Sequence, residues 1–333
     1  MVRVVVASNP EFLAEGSALK DSFYPDRVVI GSDGPQAREK LVAMYQPVLD
    51  QSFVPPMGCP RLDGYEGPGL VTTDLVTAEV IKYASNAFLA VRVSLINEFA
   101  NICQFTGADI RGVATALGMD KRIGPNFLRA GVGWGGSCFG KDLLAIRSIA
   151  REYGYEARLL ESAYDLNYTQ RFHVLGILRE KLKVLRGRRV ALLGLAFKPD
   201  TDDLRDSPAI TIAERLLEAG CRVRACDPAA VETARQSFNG AEGIQFFDDP
   251  YLGVKGVDAV LLLTEWKEFA ALDLARLGSE VRRKLIIDGR NFLDGEQWRG
   301  AGWDYVGFGI GDGDGAVALG ALEAAATLDF ESE

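Results

Sequence analysis

The sequence predicts an α/β protein with an open parallel sheet in its C-terminal part, a central all-helical domain and a partial α/β unit at its N-terminus. Three observations lead to this prediction. Short apolar segments alternate with helical segments after Arg188, as they do in parallel sheets. One uninterrupted helical pattern runs from Thr72 to Gly107. Two strand-like segments and one helix-like segment lie within residues 1–70.

Charge and composition narrow the class of protein. The 333-residue chain carries 37 Lys and Arg against 46 Asp and Glu, a net charge of -9. This net negative charge does not favour binding to nucleic acid or to a membrane surface. Any phosphate group that the protein binds must therefore be bound by individual cations or backbone N–H groups at the site. No apolar run approaches the roughly 20 residues that span a bilayer, and the start lacks a signal-peptide pattern. These features predict a cytoplasmic protein.

The cysteines and the single histidine are predicted to be structural. Five cysteines are too few, and too irregularly spaced, for a disulfide framework or a zinc cluster, so most are expected to be small buried hydrophobes. His173 lies in a helical pattern and is expected to face solvent. Acid-base chemistry would then rest on Lys, Asp, Glu or a bound water.

The first 70 residues predict the later part of an α/β unit. MVRVVVAS predicts a buried strand, DRVVIGS a second strand and PQAREKLVAMYQPVL a helix. A Pro- and Gly-rich passage from Pro55 to Gly69 then indicates a boundary. We therefore assign residues 1–70 to this partial domain and residues 71–185 to the central helical domain.

The long central helix carries an apolar stripe with steps of three and four residues. Such a helix is typical of a core element that connects domains or of the spine of a dimer. The stripe consists of Ile81, Ala84, Phe88, Val91, Leu95, Phe99 and Ile102. Further helices are predicted at roughly Asp109–Leu117, Lys141–Tyr153 and Arg158–Val184.

The C-terminal part alternates between strands and helices. RRVALLGLAF, CRVRACDP, DAVLLLTE and KLIIDGRN predict strands, and SPAITIAERLLEAG predicts a helix. Cys221 and Cys226 are expected to pack within the second strand. This α/β domain is assigned to residues 186–310, and the Gly-, Ala- and Asp-rich tail at 311–333 is predicted to be disordered.

The stretch GVGWGGSCFGKD, residues 131 to 142, places glycines directly before a cysteine. Its G-x-G-x-x-G spacing resembles a dinucleotide fingerprint, but no strand precedes it. The glycines would let the backbone approach a ligand ahead of a helix that begins around Cys138. The helix N-terminus and Lys141 would favour the thiolate of Cys138, and Asp142 would lie on the same face. Taken alone, a cysteine after glycines is more often structural than catalytic.

Two further constellations combine polar side chains at helical spacing. Lys82 and Asn86 are four residues apart on the long helix, which suits an oxyanion-stabilising pair or a solvated polar edge. Glu11 and Glu15 are also four apart, after the first predicted strand.

Three cations follow predicted strands of the C-terminal domain. Lys198 and Arg205 lie in the loop after one strand, and Arg290 lies at the end of another. Ligands of parallel sheets bind at these strand ends, so the cations predict a phosphate or sugar-phosphate ligand, although isolated loop cations are usually only solvated.

Five blocks occur in the order found in the UDP-glucose/GDP-mannose dehydrogenase family, which the chain resembles from about Val4 to Ile310. They are SNPEFLAEGSALKD, PDRVVIG, GMDKRIGPNFLRAGVGWGGSCFGKD, LLGLAFKPDTDDLRDSP and IIDGRN. The resemblance implies a remnant of an NAD-binding domain at the N-terminus, a central dimerisation domain and a Rossmann-like UDP-sugar-binding domain. It also implies NAD-dependent oxidation of a sugar C6 alcohol to a carboxylate in two steps.

The resemblance assigns catalytic roles residue by residue. Cys138 matches the nucleophile that traps the intermediate aldehyde as a thiohemiacetal, which is then oxidised to a thioester and hydrolysed. Lys82 and Asn86 match the pair that stabilises oxyanions. Asp142 and Glu11 match carboxylates that handle water and protons.

The resemblance also implies binding residues and the sugar. GGSC favours UDP-glucose, because relatives that act on N-acetylmannosamine tend to have a histidine before the cysteine. Arg122 would reach across the interface of a homodimer built on the long helix. The implied substrate-binding residues are Phe12, Leu13, Arg122, Phe127, Arg129, Gly135, Phe139, Phe197, Lys198 and Arg290, and the implied NAD contacts are Glu15, Lys141 and Arg205.

Two departures from the family pattern lead to expectations of their own. The family's first Rossmann unit, with its glycine motif, acidic ribose-binding residue and catalytic threonine, would precede VRVVVASNPEF, so we expect a truncated chain that binds NAD weakly on its own. Gly140 stands where the family usually has proline, which would loosen the first helical turn.

Two alternative functions follow from the same residues. One is a nucleotide-sugar-binding remnant without redox activity, and the other is a dehydrogenase for a different nucleotide sugar, such as GDP-mannose or a UDP-N-acetylhexosamine. Differences in a sugar pocket are worth only ~1 to 3 kcal/mol each, so the loop sequence leaves the sugar open.

Overall fold

The computed structural model describes residues 4–311, and the remainder of the predicted tail, residues 312–333, lies outside the described residues. The chain divides into two compact units, Met1–Phe88 and Leu89–Glu333. The division falls within a helix that runs from Leu75 to Thr106.

A three-stranded sheet forms the first unit. Its strands are β1 (Ala7–Ser8), β2 (Arg27–Ser32) and β3 (Gly69–Thr73), in the order β1-β2-β3. β1 pairs antiparallel with β2, and β2 pairs parallel with β3. Helix α1 (Ala18–Phe23) precedes β2, and α2 (Pro35–Leu49) follows it. The predicted second strand and the predicted helix are confirmed, whereas β3 was not predicted.

The expectation of a buried first strand over MVRVVVAS is wrong for the residues that the structure describes. Only Ala7 and Ser8 pair with β2, and Val4, Val5 and Val6 are exposed by 81, 39 and 64%. Valine has a high strand propensity, but propensity measures how well a side chain fits a pleated, half-buried surface. Without such a surface, the run of valines stays outside the core of this unit.

The long helix α3 (Leu75–Thr106) confirms the central helical pattern. The Asp74 carboxylate accepts hydrogen bonds from the backbone N–H and the hydroxyl of Thr77, at 2.8 and 2.7 Å. The helix ends at Gly107, whose φ of +75° is readily adopted only by glycine. The predicted start at Thr72 was too early, because Thr72 and Thr73 belong to β3.

The apolar stripe of α3 does not face the core of the chain. Phe88, Leu95, Phe99 and Ile102 are exposed by 67, 50, 40 and 48%. The buried positions of the helix in the second unit are mostly small or polar: Ala90, Ser94, Ile96, Asn97, Ala100 and Cys103. The helix therefore presents an unusually apolar face to solvent.

Four further helices follow in the central region: α4 (Ile110–Met119), α5 (Phe139–Glu152), α6 (Arg158–Gln170) and α7 (His173–Leu182). The predicted single helix from Arg158 to Val184 is thus two helices. At the break, the N–H groups of Arg171 and Phe172 donate to carbonyls only three residues back, those of Tyr168 and Thr169. This tighter turn interrupts the α-helical ladder.

His173 is buried, so the expectation that it faces solvent is wrong. It is 7% exposed, and its ring lies 5.6 Å from the ring of Phe308. Burial lowers the pKa of His173, because the charged imidazolium would lose its hydration.

This burial predicts a pH-dependent stability. Below the unfolded-state pKa of His173, the unfolded chain binds a proton that the folded chain does not, so stability falls as the pH drops. We expect the free energy of unfolding in urea to fall by up to about 1.4 kcal/mol per pH unit below about pH 6.5. His173→Phe, which keeps a ring, should remove this component. An equal slope in both proteins would contradict the prediction.

The C-terminal sheet is fully parallel, as predicted. Its strands are β4 (Arg189–Leu193), β5 (Arg222–Cys226), β6 (Ile244–Phe247), β7 (Ala259–Leu262), β8 (Leu285–Asp288) and β9 (Asp304–Gly307). Their spatial order is β6-β5-β4-β7-β8-β9. This is the order of a Rossmann sheet, in which the crevice lies beyond the first strand and the strand where the order reverses, here β4 and β7.

Six helices accompany this sheet: α8 (Pro208–Glu218), α9 (Val231–Ser237), α10 (Pro250–Gly253), α11 (Lys267–Ala270), α12 (Leu274–Glu280) and α13 (Gly295–Gly300). Strands β6 and β9, and all of these helices except α8, were missed by the sequence prediction. Most of them are short, so they offer too few turns for a clear periodic pattern.

The cysteines at the two ends of the β5 segment, Cys221 just before the strand and Cys226 at its last residue, pack as predicted. Cys221 and Cys226 are 4 and 1% exposed within the apolar core of the sheet. Burial raises the pKa of Cys221 to about 11 and that of Cys226 to about 12. Both thiols are therefore inert at neutral pH.

In the described part of the chain, no helix is both long and apolar enough to cross a membrane.

Candidate active site

Residues 131–136, here called the glycine loop, lead directly into α5. No strand precedes them, which confirms that the G-x-G-x-x-G spacing is not a dinucleotide fingerprint. A side chain at Gly131 would place its Cβ 2.3 Å from the carbonyl oxygen of Gly289, and one at Gly135 would lie 2.4 Å from that of Asp206. The glycines therefore allow this backbone to lie against the segments that follow β8 and β4.

A set of buried side chains that the sequence prediction missed fixes the backbone of this loop. Asn97 Oδ1 accepts from Gly131 N–H at 2.9 Å, and Gln170 Nε2 donates to Gly131 O at 2.9 Å. The Asn167 amide forms two hydrogen bonds with the backbone of Trp134. Its Oδ1 accepts from the backbone N–H at 2.7 Å, and its Nδ2 donates to the carbonyl at 3.0 Å. All three amide side chains are at most 2% exposed.

Polar residues on helices usually indicate a solvated face, so sequence alone gave no reason to select these amides. The one available signal was spacing, since Asn167 and Gln170 lie three residues apart on α6. Together they hold the glycine loop at defined backbone positions, through hydrogen bonds that are shielded from water.

Cys138 lies at the end of the glycine loop, directly before α5. It is exposed, whereas Cys59, Cys103, Cys221 and Cys226 are buried. Its carbonyl accepts the Asp142 N–H at 3.0 Å, and its Sγ lies 3.8 Å from the hydroxyl of Ser137. The predicted helix start is confirmed, and the thiol sits where the positive end of the helix dipole favours an anion.

Lys141 and Asp142 form an ion pair in the first turn of α5. Lys141 Nζ donates to Asp142 Oδ1 at 2.8 Å, and the side chains are 70 and 2% exposed. Asp142 thus lies one turn after Cys138 as a buried carboxylate, while the Lys141 stem extends into solvent. Phe139, the first helical residue, stacks edge-on against Trp134 at 5.8 Å.

The first unit brings together two of the predicted catalytic residues. Lys82 Nζ lies 3.0 Å from Glu11 Oε1 and donates to the Glu11 carbonyl at 2.6 Å. The two residues are 71 positions apart, so their pairing could not be predicted from spacing. Asn86, one turn further along α3, is buried.

Arg27, in the block PDRVVIG, organises the surroundings of this pair. Its guanidinium lies 3.9 Å from the centre of the Phe12 ring, and the ring lies 5.5 Å from Lys82 Nζ. Arg27 also donates to the hydroxyl of Ser85 at 3.1 Å. The segment that carries Glu11 is therefore pinned to α3 by stacked cations. Leu13 is exposed in the same segment, and Glu15 follows it.

Arg290, after β8, joins two loops rather than standing in solvent. Its guanidinium donates to the carbonyls of Leu263, Gly133 and Phe197, at 2.7, 2.8 and 3.3 Å. Asp288 fixes the backbone beneath it, and accepts from the N–H groups of Arg290, Phe292 and Leu293 and from the hydroxyl of Tyr305.

Residues 194–207, here called the β4–α8 loop, carry the other two predicted cations. Lys198 is half-buried and lies 5.5 Å from the ring of Phe197. Arg205 pairs with Asp203 at 2.7 Å and has a side chain that is 65% exposed. The Arg205 carbonyl accepts the Gly136 N–H at 2.9 Å, which places this loop against the glycine loop.

The remaining predicted substrate residues lie before the glycine loop. Phe127 is 44% exposed and has a φ of +60°, a conformation that side chains rarely adopt outside functional segments. Arg129 is exposed beside it. The Arg122 side chain is 88% exposed and pairs with Asp120. The second unit therefore brings Cys138, Asp142, Arg290 and the β4–α8 loop to the same glycine loop.

Comparison with known protein families gives three matches along the chain. Residues 1–49 match the NAD binding domain of the UDP-glucose/GDP-mannose dehydrogenase family, residues 76–169 match its central domain and residues 191–295 match its UDP binding domain.

Individual relatives agree with these matches. The chain is 41% identical over 305 residues to the UDP-glucose 6-dehydrogenase of Rickettsia bellii, covering 91% of this chain and 67% of the relative. It is 44% identical over 300 residues to the UDP-glucose 6-dehydrogenase AglM of Haloferax volcanii, covering 90% of this chain and 64% of the relative. It therefore spans about two thirds of the length of these relatives.

A solved structure shows the same fold. The UDP-glucose dehydrogenase from Pyrobaculum islandicum matches with a TM-score of 0.78 at 36% identity, covering 92% of this chain and 63% of that chain. The UDP-D-ManNAc dehydrogenase from Pyrococcus horikoshii matches with a TM-score of 0.75 at 26% identity, covering 92% of this chain and 65% of that chain.

Proposed function

Since this chain belongs to the UDP-glucose/GDP-mannose dehydrogenase family, we propose that it acts as a UDP-glucose 6-dehydrogenase, which oxidises the C6 alcohol of UDP-glucose to a carboxylate. The observation that carries the proposal is Cys138. It is the exposed thiol among five cysteines, all within the described residues, and it follows a glycine loop that contacts the segments after β4 and β8. Those strand ends are where parallel sheets bind nucleotides.

Cys138 would supply covalent catalysis. Its thiolate adds to C6 of the intermediate aldehyde, forming a C–S bond and a thiohemiacetal. After oxidation to the thioester, a water molecule attacks C6, the C–S bond breaks, and the carboxylate leaves while the thiol is restored. NAD, when bound, accepts the hydride in each of the two oxidations. The chain contributes the nucleophile, the binding contacts and the charge stabilisation.

Lys82 and Asn86 would stabilise the negative oxygen that develops at C6. The Lys82 ammonium has three N–H groups, two of which contact the carbonyl and the carboxylate of Glu11. The third suits an oxyanion. Glu11 holds Lys82 in place, and the buried Asp142 carboxylate, one turn beyond Cys138, is suited to orient the hydrolytic water.

The proposed UDP site combines the glycine-loop backbone with Lys198 and Arg290. The glycines hold the loop backbone against the β4–α8 loop and the segment after β8, where its peptide groups would meet the diphosphate, while Phe197 and Phe127 offer aromatic surface to the base. Arg290 would act partly through the backbone, because its guanidinium already joins the glycine loop to the β4–α8 loop.

The residues proposed to contact NAD fit part of that cofactor. Lys141 and Arg205 are paired with Asp142 and Asp203, and their side chains remain 70 and 65% exposed near the glycine loop, where they could also meet a pyrophosphate. Glu15, in the first unit, would add a hydrogen-bond acceptor.

We propose a homodimer through α3. Its apolar stripe, including Phe88, Leu95, Phe99 and Ile102, is 40 to 67% exposed in the single chain. Contiguous exposed apolar side chains on one helix face are typical of a protein interface. A second copy of the same helix would cover them, and the exposed Arg122 would then be available to the partner's substrate.

We also propose a cytoplasmic location, since all five thiols are unpaired.

The function is tested by following NADH absorbance when the chain is mixed with UDP-glucose and NAD. At NAD concentrations high enough to offset the weak NAD binding expected of this chain, we expect two NADH per UDP-glucose, because an alcohol becomes a carboxylate by two hydride losses. Cys138→Ser should abolish the second NADH while leaving the Kd for UDP-glucose, measured by calorimetry, unchanged. One NADH per sugar in the wild type, or no NADH from a chain that binds both ligands, would contradict the proposal.

A further inference from the structure

The candidate site contains a buried arginine that none of the proposed chemical steps uses. Arg171 follows the last residue of α6 and is 4% exposed. Arginine is seldom buried to this extent unless its charge is paired. Its Nη2 lies 2.7 Å from Asp206 Oδ1, and its Nη1 donates to the Thr211 hydroxyl at 3.1 Å.

Thr211 lies in α8, whereas the other partners of Arg171 belong to two different loops. Nη2 also donates to the carbonyl of Trp134, in the glycine loop, at 3.3 Å. Asp206 lies in the β4–α8 loop, next to Arg205, and has a φ of +50°, a left-handed conformation that Asp adopts more readily than most residues.

The two loops also touch directly at this point. The Gly136 N–H donates to the Arg205 carbonyl at 2.9 Å, and there is no room for a side chain at Gly135, whose Cβ would lie 2.4 Å from the Asp206 carbonyl. Arg290 makes a second bridge further along, from Gly133 to Phe197. Arg171 is the bridge on the buried side, and Trp134, its contact in the glycine loop, lies four residues before Cys138.

We infer that Arg171 is a positioning residue, which joins the glycine loop, two residues before Cys138, to the β4–α8 loop, which carries Lys198 and Arg205. Its role is to set the distance between the thiol and the groups that hold the nucleotide. The expected effect of Arg171 on UDP-glucose binding rests on the proposed function. Its expected effect on the accessibility of the Cys138 thiol does not.

The test compares Arg171→Met, Arg171→Lys and Asp206→Asn with Arg147→Met. Arg147 is a control, since it is a poorly exposed arginine of the central region that pairs with Glu161 and reaches the glycine loop only indirectly, through the ring of Tyr164. Three quantities are measured for each full-length variant: urea stability, the Kd for UDP-glucose by calorimetry, and the rate of Cys138 alkylation by iodoacetamide without ligand.

We expect Arg171→Met to raise the Kd for UDP-glucose by about tenfold or more and to change the Cys138 alkylation rate by about fivefold or more, since small displacements of reacting groups have large effects. Asp206→Asn should change the Kd and the alkylation rate in the same direction as Arg171→Met, and Arg171→Lys should change both by less than Arg171→Met. Arg147→Met should lower the urea stability while leaving the Kd and the alkylation rate near their wild-type values. If Arg171→Met does not fold, Asp206→Asn and Arg171→Lys decide the test.

Unchanged Kd and alkylation rates in Asp206→Asn and in the folded Arg171 variants would overturn the inference and leave Arg171 a purely structural residue. If the wild-type chain does not bind UDP-glucose, the proposed function fails. The inference is then decided by the alkylation rate alone: a change confined to the Arg171 and Asp206 variants supports it, and no change overturns it.

Discussion

Iodoacetamide is expected to alkylate Cys138 in the folded chain at least ~10³-fold faster than any other cysteine, because the others react only after the structure opens. Cys59, Cys103, Cys221 and Cys226 are at most 5% exposed. Burial also raises the pKa of Cys103, Cys221 and Cys226, which removes their reactive thiolates.

The measurement is mass-spectrometric mapping of the alkylated peptides over time. In concentrated urea, all five cysteines should react, which provides the internal control. Cys138→Ser should remain unmodified while folded. Comparable labelling of a buried cysteine under native conditions would contradict the placement of Cys138 as the accessible nucleophile.

The second large effect is expected from Gly135→Ala. The added Cβ would lie 2.4 Å from the Asp206 carbonyl and 3.1 Å from Phe197 Cβ, so the glycine loop and the β4–α8 loop would have to separate. Overpacking of this kind costs typically ~1 to 3 kcal/mol, and a displaced loop lowers UDP-glucose affinity by about 10²-fold. Urea unfolding and calorimetry measure the two effects.

Gly140→Ala is the matched control in the same stretch. Its Cβ would meet nothing nearer than Asp206 Oδ2 at 3.4 Å, and alanine is favoured over glycine within α5. This variant should be at least as stable as the wild type and should keep its Kd. If Gly135→Ala also behaved like the wild type, the close contact between the loops would not matter for binding.

The sequence predicted the candidate site mainly through its resemblance to a family. The order of five blocks pointed to Cys138, Lys82 and Arg290, whereas residue type alone left Cys138 more often structural. The parallel sheet was predicted from the alternation after Arg188, because local period is displayed directly by a sequence.

Contacts between distant segments were beyond such reasoning. Lys82 meets Glu11 across 71 positions, and Asn167 clasps Trp134 across 33 positions. A buried amide and a solvated amide look alike in a helical pattern, because their difference lies in what packs against them. The same holds for His173, which the apolar surroundings of Phe308 bury.

The apolar stripe of α3 shows a related limit. Its period correctly predicted a helix, but the stripe faces outward, while small residues such as Ala90 and Ala100 face the core. Periodicity shows that a face must be covered and does not show whether its own chain or a second copy covers it.

The central claim is that this chain holds the sugar of UDP-glucose at Cys138. It is tested most directly by the Cys138 alkylation rate at increasing UDP-glucose concentrations, with binding measured in parallel by calorimetry. The account predicts that saturating UDP-glucose slows alkylation by about tenfold or more, with a midpoint at the calorimetric Kd. An unchanged alkylation rate in a chain saturated with UDP-glucose would contradict it, because the sugar would then lie elsewhere.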